Sequence, residues 1–101
     1  MAQLTILYWR DIPAQVIAKA GRRTAKRQLP ARFEQAIDRA AMRAKLTGTD
    51  AYLEQWRKSE PTACGDDLER AAEQAAAALE AAFTPDQLRD YVRNGGHTPE
   101  A

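Results

Sequence analysis

The chain has 101 residues, 45% of them hydrophobic and 29% charged, and its formal net charge is +1. That length fits one domain with a single small core. No stretch approaches the ~20 apolar residues that span a bilayer, and the N-terminus lacks the cationic region and small-residue cleavage site of a signal peptide. The lone cysteine, Cys64, excludes an internal disulfide and fits a reducing compartment, so a cytoplasmic location is expected. The small net charge hides an asymmetry. Residues 1–50 carry ten Lys/Arg against four Asp/Glu, and residues 51–101 carry five against ten. Such a division means internal neutralisation across the fold or a polarised surface.

"LTILYW" predicts a strand, with Leu4, Ile6 and Tyr8 on one face and Thr5, Leu7 and Trp9 on the other. "RDIPA" breaks it, because Pro13 donates no backbone hydrogen bond and holds Ile12 extended. "AQVIAKA" predicts a second strand and "TAKRQL" its return, joined at Gly21, where glycine permits the positive φ of a hairpin turn. A helix over residues 18–28, interrupted at Gly21, is the rival reading.

Pro30 opens the first clear helix, with Phe33, Ile37, Ala40, Ala41 and Ala44 as its apolar stripe and Gly48 as its end. "DAYLEQWRK" predicts a second helix capped by Thr49, with Tyr52, Leu53 and Trp56 facing inward and Pro61 beyond it. Asp66 or Asp67 caps a third, whose stripe is Leu68, Ala72, Ala75, Leu79 and Ala82. "TPDQ" is the sharpest local signal: Thr84 as N-cap, Pro85 as first helical residue and Gln87 closing a capping box. The fourth helix runs to about Asn94, and "GGHTPEA" reads as a frayed tail.

The expected class is therefore α+β: a small antiparallel β-meander of two to three strands followed by three to four α-helices. Residues 1–94 form the domain and 95–101 a flexible tail. The large core residues are expected to be Leu4, Ile6, Leu7, Val16, Ile17, Leu29, Phe33, Ile37, Leu53, Trp56, Leu68, Leu79, Phe83, Leu88 and Val92.

No catalytic constellation stands out. His97 is the only histidine, Cys64 the only cysteine and Ser59 the only serine. A nucleophile needs an adjacent base, and metal ligation needs a recognisable spacing; neither is present, so no catalytic residue, metal or cofactor is expected. The candidate surface is cationic: Arg10, Lys19, Arg22, Arg23, Lys26 and Arg27, with Tyr8 and Trp9 as interface aromatics. Arg32, Arg39 and Arg43 share one side of the following helix. Nucleic acid is disfavoured because the pI is only about 7.9 and no aromatics interleave the basic run.

The string "LTILYWRDIPAQVIAKAGRR", followed by "RFEQAIDRAAMRA" and "TDAYLEQWRK", resembles small bacterial virulence-factor domain proteins over residues 4–57. The resemblance carries no catalytic residues with it. It implies an accessory role beside corrinoid- and folate-linked one-carbon methyltransfer enzymes. The expected role is thus a non-catalytic accessory or protein-interaction domain with a protein partner, homodimerisation being open and a membrane excluded. The alternatives are a methyltransfer-enzyme subunit binding an anionic cofactor near Tyr8, Trp9, Arg10 and Asp11, and a weak nucleic-acid-binding module.

Overall fold

"LTILYW" forms β1 (Gln3–Trp9), the central strand of an antiparallel sheet. The computed structural model of the chain describes residues 2–46, 48 and 50–99. β2 (Ile12–Ala20) pairs with β1, and β3 (Arg23–Gln28) pairs with β2 as an outer strand. The free edge of β1 is taken by two short segments from later in the chain. β4 (Trp56–Lys58) pairs with Leu7–Trp9, and β5 (Thr62–Ala63) with Gln3 and Leu4. The helices are α1 (Ala31–Arg43), α2 (Asp50–Glu54), α3 (Leu68–Ala82) and α4 (Pro85–Arg93). The fold is the α+β arrangement expected, with two extra strands.

Register decides which side chains meet the core. Leu4 lies opposite Ala18 and Ile6 opposite Val16, and Ala25 of β3 lies opposite Ala18, so these five share one face. α3 packs over that face through Leu68, Ala72 and Ala76. Its alanines bring helix and sheet close, since they hold no bulk between them. The other face carries Thr5, Leu7, Gln15, Ile17 and Lys19, and it is covered only at one end, where Trp9 and Ile12 are fully buried. α1 and α4 pack against each other there, with Phe33, Ile37 and Leu88 buried.

Several elements differ from expectation, each for a physical reason. β2 begins at Ile12 and includes Pro13, because the ladder pairs Leu7 with Gln15 and Tyr8 with Pro13, leaving Ala14 as a bulge that accommodates the proline. α1 ends at Arg43 rather than near Gly48. Its terminus closes with Lys45 at φ 61, Lys45 N–H donating to Met42 and Leu46 N–H to Ala41, while Leu46 packs on the core. The helix expected over residues 50–58 stops at Glu54, since Trp56–Lys58 supply the backbone partners that the edge of β1 requires. A nine-residue helix has little stability of its own against that demand. Leu53 is consequently 64% exposed rather than core, and Thr49, expected as the cap, lies outside the described residues. Asp67 caps α3 by accepting from Arg70 N–H, and the Thr84–Gln87 capping box is formed as expected. Leu7 and Ile17, expected in the core, are half-buried, and Ala82 is exposed.

Residues 95–98, read from the sequence as frayed tail, lie against the β1–β2 turn. Gly96 is buried at φ 94, and a Cβ there would sit 2.7 Å from Trp9 Cζ3. Replacing Gly96 with Ala combines a disfavoured backbone region with overpacking of a buried indole, so it should lower stability by about 3 kcal/mol. Urea unfolding of the Gly96→Ala variant checks this, with Gly95→Ala as the comparison for backbone strain beside a movable side chain.

Candidate interaction surface

Arg10 and Asp11 make the turn between β1 and β2, with Arg10 at φ 52, a region disfavoured by a side chain. The cost, of order 1–2 kcal/mol, is offset by a dense set of bonds. Arg10 N–H donates to the Gln55 carbonyl at 3.0 Å, Arg10 Nε to Gln55 Oε1 at 3.2 Å and Nη1 to the Gly95 carbonyl at 2.8 Å. The guanidinium also lies 5.2 Å from the Trp9 ring centroid. Asp11 N–H donates to the Gly96 carbonyl at 2.8 Å. Its carboxylate accepts from Arg57 Nη2 at 3.0 Å, Thr98 N–H at 2.7 Å and Thr98 Oγ1 at 3.0 Å. Arg57 Nε closes the set by donating to the Arg10 carbonyl at 3.0 Å. The turn is a clasp that joins the first hairpin, the start of β4 and the C-terminal segment.

The clasp corrects two of the expected site assignments. Trp9 is fully buried, donating its indole N–H to the Tyr52 carbonyl at 3.0 Å, so it cannot be an interface aromatic. Arg10 is half-buried, and its Nε and Nη1 donate within the fold rather than standing free on the surface. Tyr8 is half-buried with the Arg57 guanidinium 4.6 Å over its ring. The adjacency of Arg10 and Asp11 is structural: the two side chains point apart and find separate partners.

The five remaining cations are all exposed, and the β2–β3 register divides them. Arg23 and Arg27 stand on the face covered by α3. Arg23 Nη2 donates to the Asp66 carbonyl at 3.3 Å, and Arg27 Nη2 lies 3.5 Å from Glu73. Arg22 is in the turn. Lys19 and Lys26 stand on the opposite face, where Lys26 lies across from Ile17 and Lys58 of β4 lies across from Leu7. The five strands hold Lys19, Arg23, Lys26, Arg27, Arg57 and Lys58 and no Asp or Glu. Arg23, Arg27 and Arg57 all have acceptors, while the side chains of the three lysines make no hydrogen bond or ion pair among the described residues. The helical pattern of residues 50–58 gives no sign of Lys58 as part of this face; only the pairing of Trp56–Lys58 with β1 puts it beside Leu7.

Where this face meets α1 it deepens into a groove of about 210 Å³. Leu7, Gln15 and Gln28 form its sheet side, Ile37 and Asp38 its helix side, and Tyr52 and Trp56 its end. The two rings meet edge to face, with centroids 6.3 Å apart and planes at 85°. Burial pushes the Tyr52 phenol up from its ordinary 10.0; Asp38 and, more weakly, Glu34 push the same way, against a hydrogen bond from Trp56. Among the described residues no group of His, Cys, Asp and Glu could hold a metal ion, and no helix is long and apolar enough to cross a membrane.

A five-stranded sheet with α3 over one face and a lysine-rimmed, partly apolar second face covered only at one end defines a small α+β domain. A family model described as "Virulence factor" matches residues 7–92, and the chain belongs to that family. The match begins next to the YWRD segment that forms the clasp and runs through α4 to its penultimate residue. No curated protein and no solved structure matches the chain.

Asp11 titrates below its ordinary 3.8: burial alone would raise it, but the Thr98 N–H and hydroxyl and the Arg57 guanidinium outweigh that. A depressed carboxylate contributes stability above its unfolded pKa and loses it as pH falls through the folded value. Stability should therefore decline below about pH 4, and Asp11→Asn should flatten that part of the profile while costing about 2 kcal/mol at neutral pH. Urea titrations at a series of pH values measure both. For Tyr52, whose phenol is raised, Asp38→Asn should lower the pKa, read by NMR of ring-labelled tyrosine. The matching stability is present below pH ~10 and is lost as pH rises through the folded value.

Proposed function

We propose that the chain is a non-catalytic protein-interaction domain whose open sheet face receives an acidic segment of a protein partner. The observation that carries this is the sorting of charge by register: arginines with acceptors on the covered face or in the clasp, and Lys19, Lys26 and Lys58 without counter-charge around half-buried Leu7 and Ile17. Cations rimming partly apolar surface supply steering and orientation, while the apolar centre supplies contact area. The groove beside Tyr52 and Trp56 adds a place for one apolar side chain of the incoming segment.

The sequence pI of only about 7.9 argues against nucleic acid. A bacterial cytoplasmic setting fits the unpaired Cys64, and the association with one-carbon methyltransfer implied by resemblance would make an enzyme of that kind the partner.

The test uses a fluorescent peptide of alternating Glu and Asp carrying one central Leu, followed by anisotropy. Wild-type chain should bind it, and Lys19→Glu/Lys26→Glu/Lys58→Glu should weaken binding at least tenfold with an unchanged melting temperature. Equal binding by the triple variant overturns the proposal. So does tighter binding of an oligo-dT or oligo-U strand, or self-association of the chain through this face in sedimentation.

A further inference from the structure

A second, separate site lies between α1 and α4. These helices run side by side in the same direction: Arg32 and Pro85 border a common cavity at one end, and Arg43 Nε donates to the Arg93 carbonyl at 3.0 Å at the other. The cavity has a volume of about 180 Å³. Three guanidinium-bearing residues line it, Arg32 and Arg39 from α1 and Arg89 from α4, together with Gln35 and the apolar Leu88 and Val92. No carboxylate is among the lining residues.

The cations there are incompletely satisfied. Arg32 is half-buried, stacked 4.9 Å from the Phe33 centroid, and its Nη2 donates to the Glu80 carbonyl at 3.1 Å. Its Nε is buried and has no hydrogen-bond partner among the described residues. Arg39 makes no hydrogen bond or ion pair among the described residues. Arg89 has only Asp86, at 3.2 Å, in a pair open to solvent. Three like charges brought together by two helices repel one another unless an anion lies among them.

We propose that this cavity binds a small organic oxyanion, a carboxylate or phosphate monoester carrying a short apolar group. The guanidiniums supply planar, charge-assisted donors suited to either head group. Leu88 and Val92 supply a surface for the apolar part. The cavity, of about 180 Å³, suits a single ring or short chain. The site is independent of the open sheet face, and either can fail alone.

The experiment follows arginine Nε–H resonances in the ¹⁵N-labelled full chain during titration with benzoate, phenyl phosphate, inorganic phosphate and benzylammonium. Benzoate and phenyl phosphate should shift the Arg32, Arg39 and Arg89 signals, with inorganic phosphate at least tenfold weaker and benzylammonium without effect. Arg39→Ala, which removes a side chain with no partner among the described residues, should weaken phenyl phosphate at least tenfold, and Arg39→Lys should restore only part of the loss. The proposal is overturned by unshifted signals, by equal response to benzylammonium, or by an Arg39→Ala variant that binds as wild type. Equal affinity for inorganic and phenyl phosphate overturns it too, since the apolar wall would then have no role.

Discussion

The structure depends on the turn at Arg10 and Asp11. Both residues sit at the end of the central strand, where one covered face of the sheet closes over Trp9 and Ile12. Bonds from several elements converge on the turn: Arg10 binds Gln55 and Gly95, and Asp11 binds Arg57, Gly96 and Thr98. Contacts between residues 85 to 87 positions apart in the chain therefore meet at one point. A thin, alanine-rich core gains little from each buried side chain, so a convergent set of charge-assisted hydrogen bonds at the chain's crossing point matters more than it would in a larger domain.

The clasp has consequences for the rest of the sheet. By holding Gln55 and Arg57 it sets the register of β4 against β1, which puts Trp56 opposite Trp9 and Lys58 opposite Leu7. It also presses Gly96 onto the Trp9 ring. The open face is thus built from both ends of the molecule: the hairpin strands contribute Lys19 and Lys26, and the clasped segment contributes Lys58. Because β-strand side chains alternate strictly between faces, the same registers that place these lysines outward turn Arg23, Arg27 and Arg57 toward internal acceptors. The asymmetry between a basic first half and an acidic second half is in part neutralised within the fold, through Arg27 with Glu73. What is left over is concentrated on the open face and in the arginine-lined cavity between α1 and α4.

Local chemistry made several elements legible. Glycine at the β2–β3 turn, the apolar spacing of α1, the aspartate cap of α3 and the Thr84–Gln87 box of α4 each act within a few residues, and each forms as its side chains dictate. The misassigned segments are those whose backbone groups are satisfied by distant partners. Trp56–Lys58 carry a helical pattern, yet β1 takes their amides and carbonyls. α1 ends at Arg43, and a Schellman closure with Lys45 at positive φ seats Leu46 on the core. Of the proposed cationic site, Lys19 and Lys26 are visible as charges in a hairpin and strand alternation already parts Lys26 from Arg27, but which of the two faces α3 covers is decided only by tertiary packing.

By itself the sequence determined that the chain forms an α+β domain, where its helices begin, which residues could carry positive charge, and that aromatic and charged side chains crowd the first turn. Those properties follow from propensity, capping and alternation, which are short-range. Tertiary structure alone decided that Trp9 is core and Arg10 a clasp, that Lys58 joins Lys19 and Lys26, and that Arg32, Arg39 and Arg89 surround one cavity. Each of those outcomes depends on which strands pair and which helices meet. Pairing is set by the summed burial and hydrogen bonding of residues far apart in the chain, and no local window contains that sum.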